Sequence, residues 1–178
     1  MEELDEADVQ DWLSSFECGR NPDIEEFLRR RAIPHEKSFK SRTYLLVDVA
    51  SMSSGRPTIL AFFSLAIHIM NVPDPISNSL HKRLHGLYFS KDVKLRALPC
   101  YLIGQLGKDD RYPERTTGDE LLKKACQTVL GAQHAVGGRF IKIDCEDIPA
   151  LVDLYQRNGF RAVQNDVSSG LLEMVLFF

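Results

Sequence analysis

Four cysteines in 178 residues leave little room for metal or disulfide chemistry. Cys18, Cys100, Cys126 and Cys145 are far apart, with no CxxC pair and no histidine cluster beside them, so free thiols are expected and no metal. No apolar run reaches the ~18 residues of a membrane span. There is no repeat or low-complexity tract, and no excess of positive charge: the net charge of −3 argues against broad nucleic-acid binding, though not against a local basic patch. The opening MEELDEADVQDW is acidic, the reverse of a signal or transit peptide, which makes the cytoplasm the expected location.

What remains is the pattern of a globular chain long enough to bury ~70% of the surface it would expose unfolded. Residues 1–15 read as an acidic arm or short helix, and residues 16–178 as a single domain. In FECGRNPDIEEFLRRRA, Asn21 can cap a helix and Pro22 fits its first position. Ile24, Phe27 and Leu28 supply its buried face, and Arg29, Arg30 and Arg31 are expected to close it at the negative end of its dipole. SRTYLLVDVA and TILAFFSLAIHIMNV read as a β-hairpin. Alternation in the second strand puts Phe63, Leu65, Ile67 and Ile69 on a core face, and Phe62, Ser64, Ala66 and His68 on a mixed face fit to line a cleft.

Residues 73–96 read as an insertion with one short helix near Ser79–Leu84. ALPCYLIGQLG is a strand, DELLKKACQTVLGAQHAVGG a helix closed by Gly137-Gly138, RFIKIDC a strand and IPALVDLYQRN a helix, before two final strands. Strand-helix-strand-helix flanked by hairpins predicts an α/β fold, a mixed sheet covered by helices.

Two stretches point to chemistry. In KDDRYPERTTGDELL, a loop opens a helix whose unpaired N–H groups and dipole suit a phosphate, with Arg115, Thr116 and Thr117 as donors. Thr117 and Glu120 equally fit a capping box. In ALVDLYQRNGFRAV, a helix ends at Asn158-Gly159 with a tyrosine, Tyr155, held at fixed spacing from Gly159-Phe160.

The order of elements, LIGQLGKDDRYPERTTGDELL and LYQRNGF together resemble the GCN5-related N-acetyltransferase superfamily. FECGRNPDIEEFLRRRA further resembles the entry of toxin-type acetyltransferases of bacterial toxin–antitoxin systems. The family's pyrophosphate loop has the pattern Arg/Gln-x-x-Gly-x-Gly/Ala. Here Pro113 and Thr116 replace its first and middle members and only Gly118 matches. The resemblance implies acetyl-coenzyme A as acyl donor, with no metal. Gln105, Leu106, Gly107 and Lys108 would lie along the pantetheine arm, with oxyanion donors around Leu106. Arg115, Thr116, Thr117, Gly118 and Asp119 would hold the pyrophosphate, and Tyr155 would protonate the departing thiolate.

The implied reaction is transfer of acetyl to a primary amine by direct attack in a ternary complex, the acceptor being an aminoacyl-tRNA, a small amine or a peptide amine. The altered loop leaves a second possibility, a degenerate fold serving as a non-catalytic binding or regulatory module. For RNA phosphates the sequence offers Arg29, Arg30, Arg31, Lys37, Lys40 and Arg42, and a second group of Lys82, Arg83, Lys91, Lys94 and Arg96. A ribbon-helix-helix antitoxin and a second copy of the chain are the candidate protein partners, and no membrane is expected. His68, Asp48 and Glu36 are the candidate bases, and Cys145 has no histidine partner to make it a nucleophile.

Overall fold

The computed structural model describes residues 5–72, 76–86, 96–166 and 169–178. Six strands form one sheet in the order β1-β2-β3-β4-β6-β5. The elements are α1 (Glu6–Ser14), α2 (Pro22–Glu26), a π-helical segment (Phe27–Arg31), α3 (Ala32–Lys37), β1 (Arg42–Val47), β2 (Ile59–Asn71), α4 (Asn78–His85), β3 (Ala97–Lys108), α5 (Gly118–Val136), β4 (Phe140–Cys145), α6 (Pro149–Arg157), β5 (Arg161–Asn165) and β6 (Leu172–Phe177). The chain forms two compact units, Met1–Ala66 with Ile103–Ala125, and Ile67–Leu102 with Cys126–Phe178.

In the first unit, Asn21 caps α2 by accepting from Ile24 N–H, with Pro22 at its start. The helical run does not stop at the arginines. It passes through the π segment and continues to Lys37, so Arg29, Arg30 and Arg31 lie in its middle and the basic residues of the last turn are His35 and Lys37. Pro34 explains the widened turn. Proline brings no N–H and its ring presses on the carbonyl four residues back, and a π turn relieves both. There Ala32 N–H reaches back to Phe27 O, and Arg29 O is taken by the Gln10 side chain at 2.8 Å.

The core of this unit gathers Leu13, Phe16, Cys18, Phe27, Leu28, Ala32, Ile59 and Phe62. Phe62 stands edge-on to Phe16 and stacked on Phe27, with ring centroids at 5.3 and 6.2 Å. This corrects the face assignment of β2. Phe62, expected on a cleft face, is fully buried, whereas Ile67 and Ile69, expected in the core, are 69% and 55% exposed. From Ile59 to Ser64 the strand is covered on both sides, Phe63 stacking on Tyr44. Alternation shows which residues share a face but not how far along a long strand that face stays covered.

In the second unit β6 pairs antiparallel with both β4 and β5, so the last strand of the chain is an interior one. Phe140, Val175, Met70, Leu84, Leu98 and Cys100 form its core on one face. The helix expected in the insertion is α4, capped by Ser77. The rest of that insertion, with Lys91 and Lys94, lies outside the described residues. No helix among the described residues is long and apolar enough to cross a membrane.

Candidate active site

Gln105, Leu106, Gly107 and Lys108 form the end of β3, and a turn at 109–112 leads to the loop that opens α5. Gly107 is glycine for a packing reason. A Cβ there would stand 2.4 Å from Ile24 Cγ2 and 2.9 Å from Phe62 Cε1, inside the core. Lys108 Nζ donates to Pro113 O at 3.1 Å, closing the loop on itself.

The start of α5 is a complete capping box. Glu120 N–H donates to Thr117 Oγ1 at 3.1 Å, and Thr117 N–H to Glu120 Oε2 at 2.8 Å. The Thr117 hydroxyl also reaches Glu120 Oε2 at 3.1 Å, and that of buried Thr116 reaches it at 3.4 Å. These hydrogen bonds from Thr117 hold the Glu120 carboxyl below its usual pKa. Arg115, expected as a phosphate cation, pairs with Asp48 at 3.0 Å. At the start of α5 the Glu120 carboxylate thus takes the Thr117 N–H and hydroxyl, two donors that an anion there could also use.

The anchor of this loop was not anticipated. Asp109, fully buried, accepts from Glu17 N–H at 3.2 Å, Arg111 N–H at 2.9 Å, and Arg111 Nε and Nη2 at 2.9 and 2.7 Å. Its own N–H donates to Leu60 O at 2.9 Å. Arg111 also donates to Ser15 O, and Asp110 pairs with Arg20 at 3.1 Å while its N–H meets Glu17 O. The loop is thereby tied to β2 and to residues 15–20. Its only sequence signal was an acid two residues before an arginine.

In the second unit, the spacing of LYQRNGF has a structural cause. Phe160 N–H donates to Tyr155 O at 3.0 Å, Gly159 N–H donates to Gln156 O at 2.9 Å, and Gly159 has φ 91°. This is a Schellman closure, in which the third residue from the helix end meets the second residue beyond it. Here those two are Tyr155 and Phe160, with ring centroids 5.9 Å apart. Tyr155 is buried, and burial followed by the nearby Cys145 pushes its phenol up to about 12. Burial likewise raises the Cys145 thiol to about 11, consistent with a packed rather than nucleophilic cysteine.

On the other face of β4 lies a buried cation that was not anticipated either. Lys142 Nζ stands 2.7 Å from Glu173 Oε1 and 2.9 Å from Asp144 Oδ1. Burial alone would lower its pKa, but Glu173 and Asp144 outweigh it and raise the value. A lysine and an acid inside the apolar runs FIKIDC and LLEMVLFF were the available signal.

Of the candidate bases, His68 is exposed, Asp48 is held by Arg115, and Glu36 is held by Arg42 and the Thr43 N–H. The first basic group is largely paired: Arg29 with Glu25, Arg31 with Glu26, Lys37 with Glu6 and Arg42 with Glu36. No cluster of three or more metal-ligating side chains occurs among the described residues.

No family model and no curated protein matches the chain in sequence. Solved structures do match in shape. A bacterial toxin superposes with a TM-score of 0.70 at 18% identity, over 93% of this chain and 82% of its own. AtaT complexed with acetyl-methionyl-tRNAfMet gives 0.68 at 19%, over 93% and 86%. A tyrosine-to-phenylalanine mutant of the AtaT toxin, bound to the C-terminus of the antitoxin AtaR and acetyl-CoA, gives 0.63 at 17%, over 92% and 84%. The chain thus shares the α/β fold of these toxin structures.

Proposed function

We propose that this chain is an acetyl-coenzyme A-dependent N-acetyltransferase whose acceptor is the amine of an aminoacyl-tRNA. The observation that carries it is a fold shared over 93% of the chain with AtaT, solved with acetyl-methionyl-tRNAfMet, combined with a buried, protonated tyrosine at the end of α6. The end of β3 and the loop into α5, residues 105–108 and 115–119, hold the donor.

The neutral amine attacks the thioester carbon in a ternary complex, and backbone N–H groups near Leu106 receive the developing oxyanion. The C–S bond breaks, Tyr155 gives its proton to the thiolate, and the proton shed by the acylated amine nitrogen returns to the tyrosinate. A phenol raised to about 12 is a weak acid against an alkyl thiolate of pKa ~8.5 in water. The transfer therefore depends on the phenol being held against the departing sulfur, so that the proton moves as the C–S bond breaks. A ribbon-helix-helix antitoxin is the expected regulatory partner, in line with the AtaR-bound neighbour, and the cytoplasm the expected location.

One observation favours the alternative of a non-catalytic module. The Glu120 carboxylate already takes the Thr117 N–H and hydroxyl at the start of α5, and Arg115 pairs with Asp48. Calorimetric titration with acetyl-coenzyme A decides between them. Micromolar binding that tightens in Glu120→Gln, with acetyl transfer to aminoacyl-tRNA, is the expected result. No binding at millimolar coenzyme, in wild type and variant alike, would leave the module.

A further inference from the structure

The helical run beginning at Pro22 ends in a closure built like that of α6. Phe39 N–H donates to Glu36 O at 3.1 Å, and Lys40 N–H to His35 O at 3.0 Å. The difference lies at the residue that must turn left-handed. In α6 it is Gly159, at φ 91°; here it is Phe39, at φ 57°, the one non-glycine residue with positive φ among the described residues. A bulky L-residue resists this region, and burial of its side chain is the usual compensation. Phe39 has none, since it is 82% exposed, more than any other large apolar residue described. The apolar contact that normally accompanies such a closure falls here on His35 and Lys40, which cannot supply it. Backbone strain is therefore accepted for a ring held out in water.

The surroundings of the ring are cationic. The Arg42 guanidinium lies 5.6 Å from its centroid. Lys37 and Lys40 precede and follow it, both exposed. Lys37 and Arg42 each lean on a carboxylate, Glu6 and Glu36, yet their side chains stay 65% and 58% exposed. Three cations thus stand against two carboxylates, in a chain of net charge −3. An isolated flat ring among cations offers no continuous apolar patch for a protein partner. It suits a base that stacks while its phosphates meet the charges, the arrangement single-stranded nucleic acid uses.

Building on the RNA acceptor above, we propose that Phe39 is a stacking platform for an unpaired nucleotide of that RNA, with Lys37, Lys40 and Arg42 meeting the flanking phosphates. The test compares wild type with Phe39→Gly, Phe39→Leu and Phe39→Trp in equilibrium binding of aminoacyl-tRNA, a blunt RNA duplex and acetyl-coenzyme A. Affinity for aminoacyl-tRNA falls roughly 5- to 150-fold in the Gly and Leu variants, the range of one lost stacked base, and is kept by Trp. Duplex and coenzyme affinities stay at wild-type values. The slope of log affinity against log salt is also unchanged, because no phosphate contact is lost. Phe39→Gly melts above wild type, since glycine relieves the strain, so a loss of binding in that variant is no folding defect. Equal tRNA affinity in all four proteins would overturn the platform and leave the acceptor assignment standing. Absence of tRNA binding by wild type would overturn both. A change of oligomeric state with tRNA affinity intact would overturn the platform and assign the ring to a contact between copies.

Discussion

Replacing Asp109 by alanine measures how firmly the loop into α5 is anchored. The carboxylate is 0% exposed and accepts four hydrogen bonds, two from main-chain N–H groups and two from Arg111. Alanine leaves the Glu17 and Arg111 amides without acceptors, at about 1–3 kcal/mol each where water does not replace the oxygen. Breaking a buried ion pair costs ~3–5 kcal/mol, but the Arg111 side chain is 36% exposed and can turn to water, so most of that sum is discounted. The low end of the amide terms with a small remainder for the pair gives about 3 kcal/mol. At ~2–4 °C per kcal/mol for a chain of this size, Tm falls by about 6–12 °C. The Asp109→Asn variant keeps one acceptor oxygen and should lose about half as much.

Thermal melts of the three proteins across pH give a second reading. Burial pushes the Asp109 carboxyl up, but hydrogen bonds from Arg111 and Glu17 outweigh it and hold the pKa below its usual value. A carboxyl depressed in the folded state stabilises fully above its unfolded pKa of ~4, and that contribution is lost as pH falls through the folded value. The gap between wild type and Asp109→Ala therefore narrows below pH ~4. An alanine variant melting within about 1 °C of wild type at neutral pH would refute the anchoring role.

Tyr155→Phe keeps the ring contact with Phe160 and removes only the hydroxyl, so Tm and coenzyme affinity hold while turnover falls roughly 10²- to 10⁴-fold. With its pKa raised to about 12, Tyr155 produces no alkaline limb in the pH–rate profile below pH ~11, and a limb near pH ~9 that Tyr155→Phe abolishes would refute that state. Gly107→Ala forces a methyl against Ile24 and Phe62 and costs about 1–3 kcal/mol in urea unfolding. Adding Ile24→Ala removes the nearer of the two overlaps, so the double variant is less destabilised than the sum of the two, and strict additivity would refute the clash with Ile24.

Much of the fold was legible because its signals are local. Asn21-Pro22 opened a helix, Gly137-Gly138 closed another, and Asn158-Gly159 ended α6 as expected. The run LYQRNGF was legible for two reasons at once, since its spacing both resembles a family and satisfies a helix closure. The capping-box alternative at Thr117 and Glu120 could be written from spacing alone. What escaped were pairings between residues distant in sequence: Asp109 with Glu17, Arg111 with Ser15, Lys142 with Glu173. A charge in an apolar strand shows that a partner must exist but not which one. The π turn escaped differently, because the three arginines were expected to close the helix, whereas the run widens at Phe27–Arg31 and continues past Pro34 to Lys37.

The position of β6 has a consequence for how the second unit is made. β4 and β5 leave the ribosome before β6, yet the antiparallel partner of each is β6. Until residues 172–177 are free to slide between them, both strands carry unmet main-chain groups and the apolar faces of Phe140 and Val163 stay wet. The pairing of this half of the sheet is therefore complete only once residues 172–177 are available. A cut between Asn165 and Leu172 separates β6 from the rest and leaves β5, at the sheet edge, without its partner.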